Sequence, residues 1–422
     1  MRHRHRFSLL LAVGALLLSG CTASETNYTP GYSGAQQAPK NPRPLAAGTA
    51  VIAPPGSAAA ANTATDSTST PANAAARTVR VGLLLPLSGS RSELGRALQD
   101  AAAISLFDKY ARLSPRLQTV RVELIPKDTG DTPDQAARAM EAALADGASF
   151  IIGPLFADAT ATSAPLARAK DIPVLSLSNT RTQAMAGTYL FGFSPGEQAA
   201  RIVTYALSAG KTRIAALVPE GPLGDTVLTA AREAAAKQGA KLVIEATYQT
   251  QGAGLDTALN KLVKAGEPAP FDAILIPEGG PALDTILRGL AARGVRPSNV
   301  QFLGTGLWDD AELLRRVNLQ TAWFASSSPE LTSKFETRFT TTYHYAPPRI
   351  ASLSYDAVAL AVTLATSGRP FDNATLTSRA GFSGPANGVF RLRPDGIVER
   401  NLAVMRVEGG NRTIISPASE RF

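Results

Sequence analysis

The sequence predicts an α/β chain built as two doubly wound parallel-sheet lobes joined by a hinge. Three observations predict it. Short, near-continuous apolar runs alternate with longer helix-patterned segments from Val79 onward, as in parallel strands buried on both faces. The series runs once to Gly196 and then starts again, which gives two βαβ sets. The region from 78 to 422, about 345 residues, exceeds what one hydrophobic core usually supports.

The elements follow in order. Val79–Leu85 reads as a strand, Glu93–Tyr110 as a helix, Val120–Ile125 as a strand and Pro133–Ala145 as a helix. Phe150–Ile152 is a strand, Ala159–Ala169 a helix and Val174–Leu175 a strand. In the second set Ile202–Leu207, Val227–Gln238, Leu255–Lys264 and Leu283–Ala292 are helical. Ile214–Val218, Leu242–Glu245, Ala273–Ile276 and Val300–Leu303 are strands. Lobe 1 is expected to take about 78–195 plus part of 330–385, and lobe 2 about 196–329 plus a C-terminal hairpin.

Residues 1–20 have the pattern of a leader. Arg2, Arg4 and Arg6 form a basic start, and Phe7–Leu18 an apolar stretch of signal-peptide length. The stretch ends in Leu17-Leu18-Ser19-Gly20-Cys21. A small pair before a Cys resembles the lipobox of bacterial lipoproteins, in which the Cys is lipidated and becomes the first residue. An ordinary secretory signal with an incidental Cys is the alternative, but the single Cys of the chain stands at the one position a lipobox needs. Contact with the membrane would then be through the lipid anchor only. Thr22, where an Asp would by resemblance retain the protein at the inner membrane, points to a periplasm-facing place at the outer membrane. From Cys21 to residue 77 the chain is rich in Ala, Thr, Ser and Pro and reads as a disordered tether. Its coil span is roughly 40 Å.

Residue counts exclude much chemistry. One Cys rules out an internal disulfide and a thiolate metal cluster. Once His3 and His5 leave with the leader, His344 alone remains, too few for a zinc site. It lies in Tyr343-His344-Tyr345, near the end of a helical stretch from Glu330, as a partly exposed structural residue. The charge of +8 falls to +5 when the three leader Arg are removed (39 basic against 34 acidic). The remaining basic residues are scattered, so nucleic-acid binding is not expected. There is no P-loop, no three-glycine dinucleotide fingerprint after a strand and no Gly-x-Ser-x-Gly elbow. Asp309-Asp310 reads as a pair stabilising a helix start. No catalytic constellation and no cofactor is expected.

Ligands of open α/β sheets bind at the carboxyl ends of the strands. Those ends carry Ser88 and Ser90, Asp158, then Ser178, Asn179 and Thr180 in the first lobe, and Glu220, Glu278 and Thr305 in the second. Their hydroxyls and neighbouring N–H groups suit a small polar or anionic ligand at helix N-termini. Helix capping favours the same residue types and remains the alternative for each.

Several segments together resemble the type I periplasmic binding proteins of the Leu/Ile/Val-binding branch: Val81–Gly89, Ile151–Leu155, Ile172–Ser176, Ser354-Tyr355-Asp356-Ala357-Val358, and Gly388–Arg391 with Pro394-Asp395-Gly396. The likeness covers nearly all of 78–422. In amino-acid-binding members the ligand carboxylate is held by hydroxyls and N–H groups after strands three and four; those places fall near Asp158, Ser178 and Thr180 here, where the two hydroxyls would serve and the Asp158 carboxylate would repel. The aromatic expected over the ligand falls at Leu223, and the acid for the amino group falls near Glu278 or Ala282. Leu83–Gly89, Pro126–Pro133 and Gly153–Phe156 also resemble the binding-protein domain of penicillin-binding protein activators. That resemblance implies a non-catalytic lipoprotein with a bifunctional peptidoglycan synthase as partner. The helical-repeat domain that some activators carry is replaced here by the tether. The alternative is a solute-binding protein of an ABC importer, with an amino acid or similar small ligand.

Overall fold

The computed structural model describes residues 51–53, 77–114, 119–249, 252–264 and 266–422. The predicted leader, Cys21 and most of the predicted tether lie outside the described residues.

In the first lobe β1 (Arg77–Leu85), α1 (Ser92–Ala111), β2 (Val120–Asp128), α2 (Pro133–Ala145), β3 (Phe150–Ile152), α3 (Ala157–Arg168), β4 (Val174–Ser176) and β5 (Thr188–Leu190) follow one another. The strands form a parallel sheet in the order β2-β1-β3-β4-β5. β1 sits inside the sheet, with Val81 opposite both Leu124 and Phe150. Its burial on both faces explains the unbroken apolar run. α2 starts at a capping box: the Thr132 hydroxyl accepts from the Gln135 N–H and Gln135 Oε1 accepts from the Thr132 N–H.

The second lobe contains α4 (Pro195–Ser208), β6 (Ile214–Pro219), α5 (Pro222–Lys237), β7 (Ile244–Tyr248), α6 (Leu255–Leu262), β8 (Ala273–Ile276), α7 (Gly280–Ala292), β9 (Gln301–Gly304), α8 (Ala311–Leu314) and β10 (Trp323–Ser326). The chain then returns through α9 (Pro329–Tyr343), α10 (Ala351–Thr366), α11 (Asn373–Leu376), β11 (Phe382–Gly384), β12 (Gly388–Leu392) and β13 (Val398–Arg400), and ends in β14 (Ala403–Glu408) and β15 (Asn411–Ser416). The second sheet has the order β15-β14-β10-β9-β8-β6-β7, antiparallel only at β14 and β15. β11–β13 make a small antiparallel sheet whose Phe390, Leu392 and Val398 enter the lobe 1 core. The hairpin around Pro394-Asp395-Gly396 therefore packs on lobe 1, and the hairpin that completes the second sheet is β14–β15. α10 is buried along nearly its whole length and fills the lobe 1 core with Leu353, Val358 and Val362.

Fully buried Trp308 holds the floor of lobe 2, donating through Nε1 to the Glu278 carbonyl at 2.7 Å. Gly304 leaves room for that ring: a Cβ there would fall inside it.

The chain crosses between lobes three times, at 191–194, 327–328 and 401–402. Arg400 lies at the third crossing, 7% exposed. Its guanidinium stacks 4.2 Å over the Phe191 ring, and Nη2 donates to the Phe191 carbonyl at 2.7 Å. Its backbone N–H donates to Glu197 Oε1 at 3.2 Å. Asp356 on α10 accepts from the Ala386 N–H and from the N–H and side-chain amide of Asn387, at 2.8–3.0 Å. Asn387 Oδ1 in turn accepts from Ser327 at the second crossing (3.1 Å). Burial pushes the Glu197 carboxyl up to about 8 and the Asp356 carboxyl up to about 6, against the pull of Arg400 in both cases.

These groups generate two predictions. Folded Glu197 keeps a proton that the unfolded chain loses near its ordinary value of 4.5, so stability falls as pH rises from about 4.5 to about 8. Urea unfolding across that range should show the fall in the wild type and a flatter profile in Glu197→Gln; equal profiles would remove Glu197 from the account. Gly304→Ala should lower stability by about 1–3 kcal/mol through overpacking against Trp308, read from the same urea transitions at constant pH.

Candidate functional site

Most polar groups at the strand ends of the two sheets already have partners in the chain. Asp128 Oδ1 collects the N–H groups of Leu87 (2.8 Å), Ser88 (3.1 Å) and Gly130 (2.8 Å). Partial burial pushes this carboxyl up, but the donors from Ser88, Gly130 and Leu87 outweigh burial and hold it below its ordinary value. Ser90 gives its N–H and hydroxyl to Asp131, at 2.8 and 3.3 Å. Asp158 is exposed in the first turn of α3, where its charge complements the helix dipole.

After β4, Ser178 is 5% exposed; its hydroxyl accepts from the Thr180 N–H and its carbonyl from the Gly192 N–H at the first crossing. Asn179 Nδ2 donates to the Phe193 carbonyl at 3.1 Å. Thr180 precedes the short turn Arg181–Gln183.

In lobe 2, Glu220 is exposed and its N–H donates to the Tyr248 carbonyl. Glu278 is buried, and its carboxylate accepts from the Tyr248 hydroxyl at 2.7 Å. Thr305 is buried and caps the turn that follows, accepting from the Leu307 N–H. The Gly306 N–H donates to Gln198 Oε1 at 2.8 Å. Leu223 packs against the core on the α4–α5 side of the sheet, and Ala282 is exposed at the start of α7.

One residue that the sequence reading missed connects the two sets. Arg349, half-buried just before α10, stacks 4.2 Å over the Phe193 ring and donates from Nη2 to Ser326 Oγ at 3.2 Å. Nη2 lies against Gly306, where a Cβ would collide with it. A line therefore runs from Asn179 of lobe 1 through Phe193 and Arg349 to Ser326 and Gly306 of lobe 2. Ser178, Asn179 and Thr305 sit on or beside this line. Ser88 and Ser90 are tied instead to the 128–131 loop.

Asp309 also departs from expectation. Asp310 alone caps the helix start, accepting from the Glu312 and Leu313 N–H groups. Asp309 turns inward to Ser326 Oγ (3.3 Å) and pairs with Arg412 at 3.0 Å. Burial raises its carboxyl, against Arg412 and Arg349. The turn between the two residues, not their charge, separates their roles. His344 is exposed and closes α9 in a left-handed conformation (φ 62°), with its N–H on the Thr340 carbonyl. Among the described residues no group of three or more His, Cys, Asp and Glu side chains could hold a metal ion. No described helix is long and apolar enough to cross a membrane.

Comparison with known proteins places this architecture. A family model described as a periplasmic binding protein matches residues 78–411. A Rhodospirillum rubrum structure assigned to a branched-chain amino acid ABC transporter aligns with 80% of this chain and 100% of its own, at a TM-score of 0.69 and 19% identity. A solute-binding protein from Rhodopseudomonas palustris BisB5, solved with 3,4-dihydroxybenzoic acid, covers 82% and 97%, at 0.59 and 20%. A leucine-binding protein from Thermotoga maritima covers 81% and 99%, at 0.55 and 19%. An uncharacterised protein of Rickettsia prowazekii (strain Madrid E) is 26% identical over 149 residues, which span 35% of this chain and 38% of that protein. At these identities the structural likeness is one of fold, and the family model carries the membership. The chain belongs to the periplasmic binding protein family, with the type I fold of its Leu/Ile/Val-binding branch.

Proposed function

We propose that this protein is a non-catalytic envelope lipoprotein whose binding-protein domain regulates a peptidoglycan synthase, as penicillin-binding protein activators do. Family membership implies a periplasmic or extracellular place of work. The observation that carries the reading is the self-satisfied cleft. Ser88, Ser90, Ser178, Glu278 and Thr305 all bond within the chain, and Arg349 spans the lobes with its own guanidinium. With those groups paired inside each lobe and Arg349 joining the lobes, the chain's own contacts can hold one lobe angle without a captured solute. Its outer surface is then the working part. The segment Pro126–Pro133, which carries the resemblance to activators, forms the loop that fastens Ser88 and Ser90.

A second reading, a solute-binding protein of an ABC importer, is favoured by Arg349. A half-buried guanidinium on an aromatic floor between the lobes suits a carboxylate. Solved relatives are a leucine-binding protein and a binding protein complexed with 3,4-dihydroxybenzoic acid, both ligands being carboxylic acids. Glu278, sealed by Tyr248, is less available for an amino group.

Two measurements separate the readings. Pull-down with a purified bifunctional peptidoglycan synthase, followed by a transpeptidation assay, should show binding and stimulation for an activator. After unfolding and refolding to strip any bound solute, a thermal-shift screen against amino acids and aromatic carboxylates should show no shift. A rise of a few degrees with one compound class, as expected near a hundred Kd of ligand, together with no effect on the synthase, would establish the solute receptor instead. If Arg349 is a strut, Arg349→Ala should lower stability by about 1–3 kcal/mol, for a charged hydrogen bond and a stacked ring. Arg349→Lys should restore little of that loss, because an ammonium lacks the planar stack. Urea unfolding checks both variants.

A further inference from the structure

The outer edge of the lobe 1 sheet is closed at three successive points. β2 pairs with β1 on one side only, which leaves the outward backbone groups of alternate residues from Val120 to Pro126 to be satisfied. The Tyr110 hydroxyl donates to the Val120 carbonyl at 2.8 Å and accepts from the Val122 N–H at 2.7 Å. Pro126, of the same parity, has no N–H. Between them stands Leu124. Its N–H donates to the Ile52 carbonyl, and its carbonyl accepts from the Ile52 N–H, both at 3.0 Å. The pairing is antiparallel, and the Ile52 side chain packs, partly buried, against the lobe 1 core.

We infer that the β2 edge is a docking slot for one short extended segment, and that the chain's own residues 51–53 are its occupant, clipping the N-terminal arm to lobe 1 at Ile52. The slot is bounded by the Tyr110 cap on one side and by Pro126 on the other, so a long strand cannot extend along it. The occupant is fixed by what is seated there. The connection from 54 to 76 is long enough to return to Arg77, which pairs with Val120 at the start of the same strand. The clip moves the point at which the arm leaves the domain from Arg77 back to residue 51. Only 22–50 then separate the predicted lipid anchor from the docked residue. Two hydrogen bonds and one isoleucine make an attachment that a competing strand could displace.

The test is residue-resolved hydrogen exchange on the full chain. Leu124 should be protected in the wild type. Ile52→Pro removes one donor and should speed exchange at Leu124 by about tenfold or more, while Val122, held by Tyr110, keeps its rate. Ile52→Asp, which keeps the backbone donor but not the packing, should give a smaller acceleration. Equal Leu124 rates in the wild type and Ile52→Pro would overturn the proposal. Protection of Leu124 that disappears on dilution, together with dissociation of a dimer, would place a second copy's arm in the slot and overturn the assignment of the occupant.

Discussion

The geometry of this protein depends on a buried guanidinium. Arg400 sits where three strands of chain pass between the lobes, stacked on Phe191 and bonded to its carbonyl. Taking a guanidinium out of water is costly unless its surroundings compensate. Here the compensation comes from the Phe191, Phe193 and Phe390 rings and from the charge of Asp356 nearby, while the Glu197 carboxyl, pushed up to about 8 by burial, accepts from the Arg400 backbone N–H. Because Glu197 lies in the first turn of α4 of lobe 2 and Asp356 in α10 of lobe 1, the contacts of Arg400 couple the two halves. Asn387 carries the coupling on to the second crossing through Ser327.

Arg349 repeats the device on the cleft side of the crossings. It too is an arginine stacked on a phenylalanine of a crossing, Phe193, with a hydrogen bond to Ser326 at the end of β10. Planarity matters at both places, since a flat cation can lie on a ring and still donate in its own plane. Ser326 also donates to Asp309, whose partner Arg412 belongs to β15 at the edge of the second sheet. Glu336 of α9 lies in the same field, its carboxyl raised by burial and by Asp309 against the pull of Arg412. At the crossings the lobes therefore meet through Arg349 and Arg400, each stacked on phenylalanine rings. The cleft floor is a place where adding or removing one ionic group changes the fit between lobes.

Much of this was legible beforehand. The alternation of apolar runs and amphipathic segments is a local property, and α2, β3 and β8 begin and end where their patterns do. Starts such as Thr132-Pro133 with Gln135 three residues on are local as well. β5 and β10 were not read as strands: Thr188-Tyr189-Leu190 and Trp323-Phe324-Ala325-Ser326 each carry a hydroxyl residue at one end and lack the continuous apolar run of β3 and β8. β7 begins at Ile244, later than its apolar run, because register with β6 decides where pairing starts.

The site divides along the same line. Sequence alone located Ser178, Asn179, Thr305 and the other strand-end residues, since strand ends follow from the order of elements. The tertiary structure added the chain-internal partners of Ser88, Ser90, Ser178, Asn179, Glu278 and Thr305, which no local pattern gives. Arg349 and Arg400 were invisible for a physical reason. Each acts on groups far away along the chain, Arg400 on a carbonyl 209 positions earlier, and no local pattern distinguishes an arginine that will be buried on a ring from one that will face water. Asp309 and Asp310 make the same point at the smallest scale: identical neighbours, one capping a helix and one turned into an ion pair, parted by a single turn of backbone.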